Sequence, residues 1–161
     1  LSKRLYSRYM MDFSADFTFY HFILPNMFSE DDLKPGTRLV PYTLQYLQDY
    51  NAGKNVQVPS FSAGLQTRQF ITLEEMIQTV DKAVCKYIVS DVYNMGGGEF
   101  LSIRHLIERL FAIYNVPCKD EFFGQEIRRD GDIKSLRIDG SKLMNELGAL
   151  PNSKIEDIFK I

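Results

Sequence analysis

The sequence predicts an α/β fold. Three observations lead there: an almost continuously apolar run at 17–24 (FTFYHFIL), amphipathic stretches at helical spacing after residues 72 and 102, and glycine- or proline-rich breaks between such segments. Short apolar runs that alternate with amphipathic helices build a sheet covered by helices. With 161 residues, 45% of them hydrophobic and 25% charged, the chain is long enough to bury a core without disulfide staples.

Residues 1–13 read as a helix already under way, with Lys3, Arg4 and Arg8 among Leu5, Tyr6, Tyr9 and Met10. The run 17–24 is short and apolar throughout, which predicts a strand buried on both faces, as in a parallel sheet. Two prolines, a glycine and the acids Glu30, Asp31 and Asp32 make 25–36 a solvated loop. A helix follows over 37–52, ended by Gly53, and then a short strand at 55–59 (NVQVP). Phe70 and Ile71 form a further apolar strand segment. Thr72 and Glu75 then make a capping box, in which hydroxyl and carboxylate each take an orphan backbone N–H. Leu73, Ile77, Val80, Val84 and Tyr87 continue at helical spacing and predict the buried stripe of that helix.

A strand at 91–95 leads into Gly96, Gly97 and Gly98, read as a flexible turn. Ser102 caps the next helix, whose stripe is Ile103, Leu106, Ile107, Leu110, Phe111 and Tyr114. A strand at 121–123, a turn at 128–132 (RRDGD), a helix over 141–147 stopped by Gly148, and a last helix opened by Ser153 and Glu156 complete the pass.

Composition and motifs exclude several function classes. Nineteen basic against 21 acidic side chains give no electrostatic case for nucleic acid or an anionic membrane. No run approaches the roughly 18 apolar residues of a membrane span, and 1–13 is too charged for a signal peptide. Cys85 and Cys118 read as two reduced buried thiols of a cytoplasmic protein rather than a disulfide framework. The glycine-rich GGGEFL passage fails as a dinucleotide fingerprint, because Leu101 stands where a third glycine is needed. His21 and His105 have no ligand-spaced partners, and no nucleophile elbow occurs. What remains is a set of arginines where loops meet strands: Arg68 just before Phe70, and Arg128 and Arg129 beside the Asp130-Gly131-Asp132 turn. Guanidinium forks grip phosphate oxygens bidentately, so arginines converging from distant loops suit a diphosphate.

The order of these segments resembles the C-terminal half of the extended short-chain dehydrogenase/reductase family, the NAD-dependent epimerases and dehydratases of nucleotide sugars. The matching passages are Leu1-Ser2-Lys3, like the end of a Tyr-x-x-x-Lys motif; Leu24-Pro25-Asn26-Met27-Phe28; Arg38-Leu39-Val40-Pro41; Asn55-Val56-Gln57-Val58-Pro59; Gln66-Thr67-Arg68-Gln69-Phe70-Ile71; Val92-Tyr93-Asn94-Met95 with the glycines; and Arg129-Asp130-Gly131-Asp132 with Asp139-Gly140-Ser141-Lys142. The chain departs from the family at Ile23, Ser29 and Gln69, where arginine, glycine and aspartate are common.

The resemblance implies that Lys3 is the active-site lysine. It would favour the ionised form of a neighbouring tyrosine and bond the nicotinamide ribose. Pro25 would lie by the nicotinamide. Asn26, Arg68 and Arg129 would bind the sugar-diphosphate, Leu39 would sit near the base, and Gln57 and Pro59 would flank it. It implies a three-layer Rossmann-like remainder (1–28 and 72–98) carrying a smaller mixed α+β substrate lobe (29–71 and 99–161). It also implies NAD or NADP as cofactor, a nucleotide-diphosphate sugar as ligand and a homodimer at full length. The family's tyrosine and glycine-rich turn would precede Leu1, so the 161 residues read as part of a longer enzyme. The alternative is a standalone, non-catalytic fragment that binds a nucleotide sugar or makes protein contacts.

Overall fold

The computed structural model describes residues 2–12, 17–124, 133–157 and 159. In chain order these form α1 (Ser2–Asp12), β1 (Tyr20–Ile23), β2 (Asn26–Phe28), α2 (Leu39–Asn51), β3 (Thr67–Thr72), α3 (Leu73–Cys85), β4 (Asp91–Asn94), β5 (Glu99–Ser102), α4 (Ile103–Ile113), β6 (Ser135–Leu136) and α5 (Ser141–Leu147), with single 3₁₀ turns at Glu30–Leu33, Asp120–Phe122 and Ile155–Asp157.

Two small sheets organise the chain. β1 and β4 pair in parallel, with Tyr20 opposite Asp91 and Ile23 opposite Asn94. β3 is the centre of the other sheet. It pairs with β5 in antiparallel register along one edge, and with β6 and then β2, both parallel, along the other. Successive residues of a strand point to opposite faces, and β3 uses both. Phe70 enters one apolar cluster, with Phe28, Leu44, Leu47, Leu110 and Phe111. Its neighbour Ile71 enters a second, with Ala83, Tyr93, Met95, Leu143 and Leu147. β3 is therefore a wall between two cores, and each leucine fully buried against it contributes about 2–3 kcal/mol of transfer free energy.

The helices follow local chemistry. In α2, Val40, Thr43, Leu44 and Leu47 are buried at i, i+3, i+4, i+7 spacing. Pro41 is tolerated because the first-turn N–H groups have no intrahelical acceptor. The stripe expected for α4 is realised at Leu106, Ile107, Leu110 and Phe111, and Ser102 Oγ accepts from the His105 N–H at 3.1 Å. Gly148, at φ 75°, closes α5 with its N–H donating to the Met144 carbonyl.

Several expectations are corrected. The 17–24 run yields only four residues of strand, half-buried or exposed rather than buried on both faces. β1 is paired on one edge, and only Tyr20 and Phe22 pack onto a core. No strand forms at 55–59, and 121–123 is a 3₁₀ turn followed by a single bridge between Phe61 and Phe123. The last helix is one 3₁₀ turn. The acidic loop is not wholly solvated, since Asp32 is buried and accepts from the Ser29 N–H at 2.9 Å.

α3 buries a different face from the one expected. Met76, Thr79, Val80 and Ala83 face the core, whereas Ile77, Val84 and Tyr87 are 56%, 50% and 85% exposed. The capping box is half realised. Thr72 Oγ1 accepts from the Glu75 N–H at 3.1 Å, but the Glu75 carboxylate accepts from the N–H groups of Asn152 and Ser153.

The triple glycine joins two strands and is not a loose hinge. At Gly98 (φ 65°) a Cβ would lie 2.0 Å from the Phe70 carbonyl oxygen. At Gly97 (φ 109°) it would lie 2.4 Å from the Pro151 carbonyl oxygen. Close packing, more than freedom to move, requires glycine at both positions.

Candidate functional site

The site is built on the parallel junction of β2 and β3. Their register sets Asn26 opposite Phe70, two residues beyond Arg68. Strand alternation places Arg68 on the same face as Phe70. That face opens into a cleft of about 250 Å³, lined by Asn26, Arg38, Leu39, Gln66, Arg68 and Ile103 among others. Its floor is the stacked pair Phe28 and Phe70, with ring centroids 4.9 Å apart and planes 8° from parallel. Asn26 and Arg68 also line a smaller recess of about 90 Å³ with Leu24, Pro25, Gln69 and Leu136.

Each polar group in the cleft is held by a different element. The Arg68 guanidinium donates to the Thr67 carbonyl at 2.7 Å and to the Ile133 carbonyl at 3.0 Å. These bonds fix the fork's direction and leave further N–H groups for an acceptor, since guanidinium carries five. Arg38, at the cap of α2, donates to the buried carboxylate of Asp32 at 2.8 Å. Two guanidiniums and one carboxylate thus line the cleft, an excess of positive charge that favours an anion. Asn26 is exposed at the cleft, with an amide that can both donate and accept.

Of the residues singled out from sequence, the structure brings Pro25, Asn26, Leu39 and Arg68 together. Gln57 is exposed and Pro59 is buried, and neither lines the cleft or the recess. Lys3 lies in α1, and its side chain is outside what the structure describes. Arg128 and Arg129 fall within 125–132, outside the described residues. Sequence reading missed Arg38, Asp32 and Gln66 as cleft residues. Arg38 had a usable signal, because it directly precedes Leu39 in a matched passage. Asp32 had none, because a run of three acids reads as solvent-facing.

Elsewhere the chemistry is structural. Burial pushes the Cys118 thiol up to about 11, which removes its nucleophilic form at neutral pH. Cys85 is exposed on α3 rather than buried. Among the described residues no helix is long and apolar enough to cross a membrane.

No family model matches the sequence. Among curated proteins the chain is similar to dTDP-glucose 4,6-dehydratase of Streptomyces griseus, 22% identical over 120 residues, which is 74% of this chain and 34% of that protein. Among solved structures it superposes on UDP-glucose 4-epimerase of Thermotoga maritima, determined with UDP-glucose, at TM-score 0.74 and 19% identity. The overlap is 96% of this chain and 48% of that one. It also superposes on RMD of Pseudomonas aeruginosa, determined with NADPH, at TM-score 0.75 and 16% identity, over 94% of this chain and 48% of that one. The chain spans a third of the curated relative and about half of each solved neighbour. It has the α/β fold of the C-terminal portion of the Rossmann-like epimerases and dehydratases, the extended short-chain dehydrogenase/reductases whose motifs its sequence resembles.

Proposed function

We propose that the chain is the substrate-binding, C-terminal part of an NAD(P)-dependent nucleotide-sugar epimerase, dehydratase or 4-keto reductase. The observation that carries this reading is the meeting of Asn26, Leu39 and Arg68 in one cleft of a fold shared with proteins solved with UDP-glucose and NADPH. Arg68, joined by Arg129, binds the pyrophosphate, where a fork matches two phosphate oxygens. Asn26 donates to the same diphosphate. Leu39 and the apolar floor contact the nucleoside, and Gln57 and Pro59, which line neither cavity, take no part. Such remote contacts supply binding energy that orients the sugar ring for reaction.

The cofactor fit is partial. Leu24 and Pro25 give the small recess an apolar side next to the Asn26 amide. A recess of about 90 Å³ takes the edge of an aromatic ring and not a dinucleotide. This chain therefore supplies one wall of the cofactor site, with Pro25 against the ring and Lys3 as the ribose-binding lysine. When bound, the nicotinamide accepts or donates a hydride. The residues of this chain hold the sugar-diphosphate beside it, and Lys3 stabilises a deprotonated phenol on the rest of the enzyme. On this reading the whole protein is a cytoplasmic homodimer.

The deciding experiment is mass-spectrometric identification of the nucleotide sugar that co-purifies with the full-length protein, followed by a binding titration. A protein that purifies free of nucleotide and does not respond to UDP- or dTDP-sugars removes the proposal. A second reading, a binding fragment that makes protein contacts, draws on the exposed apolar side chains Leu5, Tyr6 and Met11 of α1. A stop codon directly upstream of Leu1 would select it.

A further inference from the structure

Gln69 is a polar residue at the centre of β3, 5% exposed, for which the reading above has no role. Along one edge of β3, β6 pairs with Thr67 and Arg68, and β2 pairs with Phe70, Ile71 and Thr72. Gln69 stands at the break between these two partners. Its side chain lies on the face opposite Arg68 and meets two backbone groups. Gln69 Oε1 accepts from the Ile138 N–H at 2.8 Å, and Gln69 Nε2 donates to the Gly97 carbonyl at 2.6 Å. One acceptor and one donor on a neutral group is what an amide offers and a carboxylate does not.

The consequence lies at the sheet edge. β2 takes over the β3 edge at Phe70, so the β6 ladder stops at Leu136, and two residues on the Ile138 N–H is satisfied by the Gln69 side chain instead of the β3 backbone. The recess of about 90 Å³ opens there, with Leu136 and Ile138 on one side, Pro25 and Asn26 on the other, and Arg68 and Gln69 at the break. The other end of Gln69 anchors the glycine turn, which Gly98 also pins through its N–H to the Pro151 carbonyl.

The geometry points to Gln69 as a positioning residue for the binding of a nucleoside diphosphate: by holding the Ile138 N–H it fixes the wall of the recess, whose Asn26 and Arg68 also line the diphosphate cleft. It touches no ligand itself. The inference deepens the nucleotide-sugar reading and rests on it.

The test uses the full-length protein with UDP and dTDP as probes, titrated by calorimetry, and amide exchange at Ile138 read by NMR. Gln69→Met keeps the length of the side chain and removes both hydrogen bonds. It is expected to lose Ile138 protection and to weaken binding about tenfold, a change of about 1.4 kcal/mol. Gln69→Glu keeps the acceptor for Ile138 and loses the donor to Gly97. It is expected to keep Ile138 protected, while its added negative charge beside Arg68 weakens binding of an anion whatever the role of residue 69. Tyr93→Phe, which removes the bond from the Tyr93 hydroxyl to the Val89 carbonyl, controls for general loosening. It is expected to melt earlier and bind unchanged.

Gln69→Met with an open Ile138 amide and full affinity overturns the positioning role and leaves the nucleotide reading standing. So does an equal loss of affinity in Tyr93→Phe. If Gln69→Met does not fold, Gln69→Leu replaces it, and full affinity with an open Ile138 amide overturns the role. An unaltered full-length protein that binds neither UDP nor dTDP overturns both inferences.

Discussion

The carboxylate of Glu75 reaches the N–H groups of Asn152 and Ser153, at 2.5 and 2.7 Å, across more than seventy residues of sequence. It also accepts from the Ser153 hydroxyl. A local cap has become a long-range clamp that joins the start of α3 to the segment after α5. Charge-assisted bonds of this kind contribute about 1.5–3 kcal/mol. Glu75→Ala is expected to lower stability by about 2 kcal/mol and to speed amide exchange at Asn152 and Ser153. Thr72→Ala removes only the helix cap, at about 1 kcal/mol, and is expected to leave those two amides protected. Equal exchange in the two variants would contradict the clamp.

Arg68→Ala and Arg129→Ala in the full-length protein are expected to weaken nucleotide-sugar affinity by about tenfold or more each, the range for a charge-assisted contact. Arg68 also holds two backbone carbonyls, so its loss costs about 1 kcal/mol of stability. Isothermal titration beside thermal melting separates the two effects. Unchanged affinity in Arg68→Ala would defeat its assignment.

Arg109 bridges Glu99, at 2.5 Å, and Glu156, and ties α4 to β5 and the final turn. Burial acts to raise the Glu156 carboxyl, but hydrogen bonds from Arg109 outweigh it and hold the group below its ordinary value. A depressed carboxylate contributes stability above its unfolded pKa, about 4.3, and loses that contribution as pH falls through the folded value. Glu156 is partly exposed, so we expect Arg109→Met to cost only about 1–2 kcal/mol at pH 7. The deficit should shrink as pH falls below the unfolded value, about 4.3. A melting difference that stays constant from pH 7 to pH 3 would rule this out.

Among the described residues β1 is paired only with β4, and its Ile23 is exposed, as are Leu5, Tyr6 and Met11 of α1. An open strand edge and exposed apolar side chains each invite association with another chain. The isolated 161 residues are expected to self-associate in sedimentation velocity at tens of micromolar. A monodisperse monomer that melts cooperatively would count against this.

Much of the site was legible because it rests on short passages. Leu24-Pro25-Asn26 and Arg68-Gln69-Phe70 carried both the fold resemblance and the residues that meet in the cleft. Asp32 was not legible, since its pairing with Arg38 depends on a 3₁₀ turn folding back on the cap of α2. Gln69 could be seen to depart from its family, but the two backbone groups it joins come from segments 28 and 69 residues away.

The sequence alone determined what depends on neighbours a turn apart: the spans of α2, α4 and α5, the Thr72 and Ser102 caps, and the glycine that ends α5. Tertiary structure decided which face of α3 is covered, because an apolar side chain at Ile77 or Val84 has the same periodicity whether or not anything packs on it. It also decided the strands of two to four residues, β2, β5 and β6. These are too short to show an alternation of their own, and they exist because β3 offers them backbone hydrogen bonds.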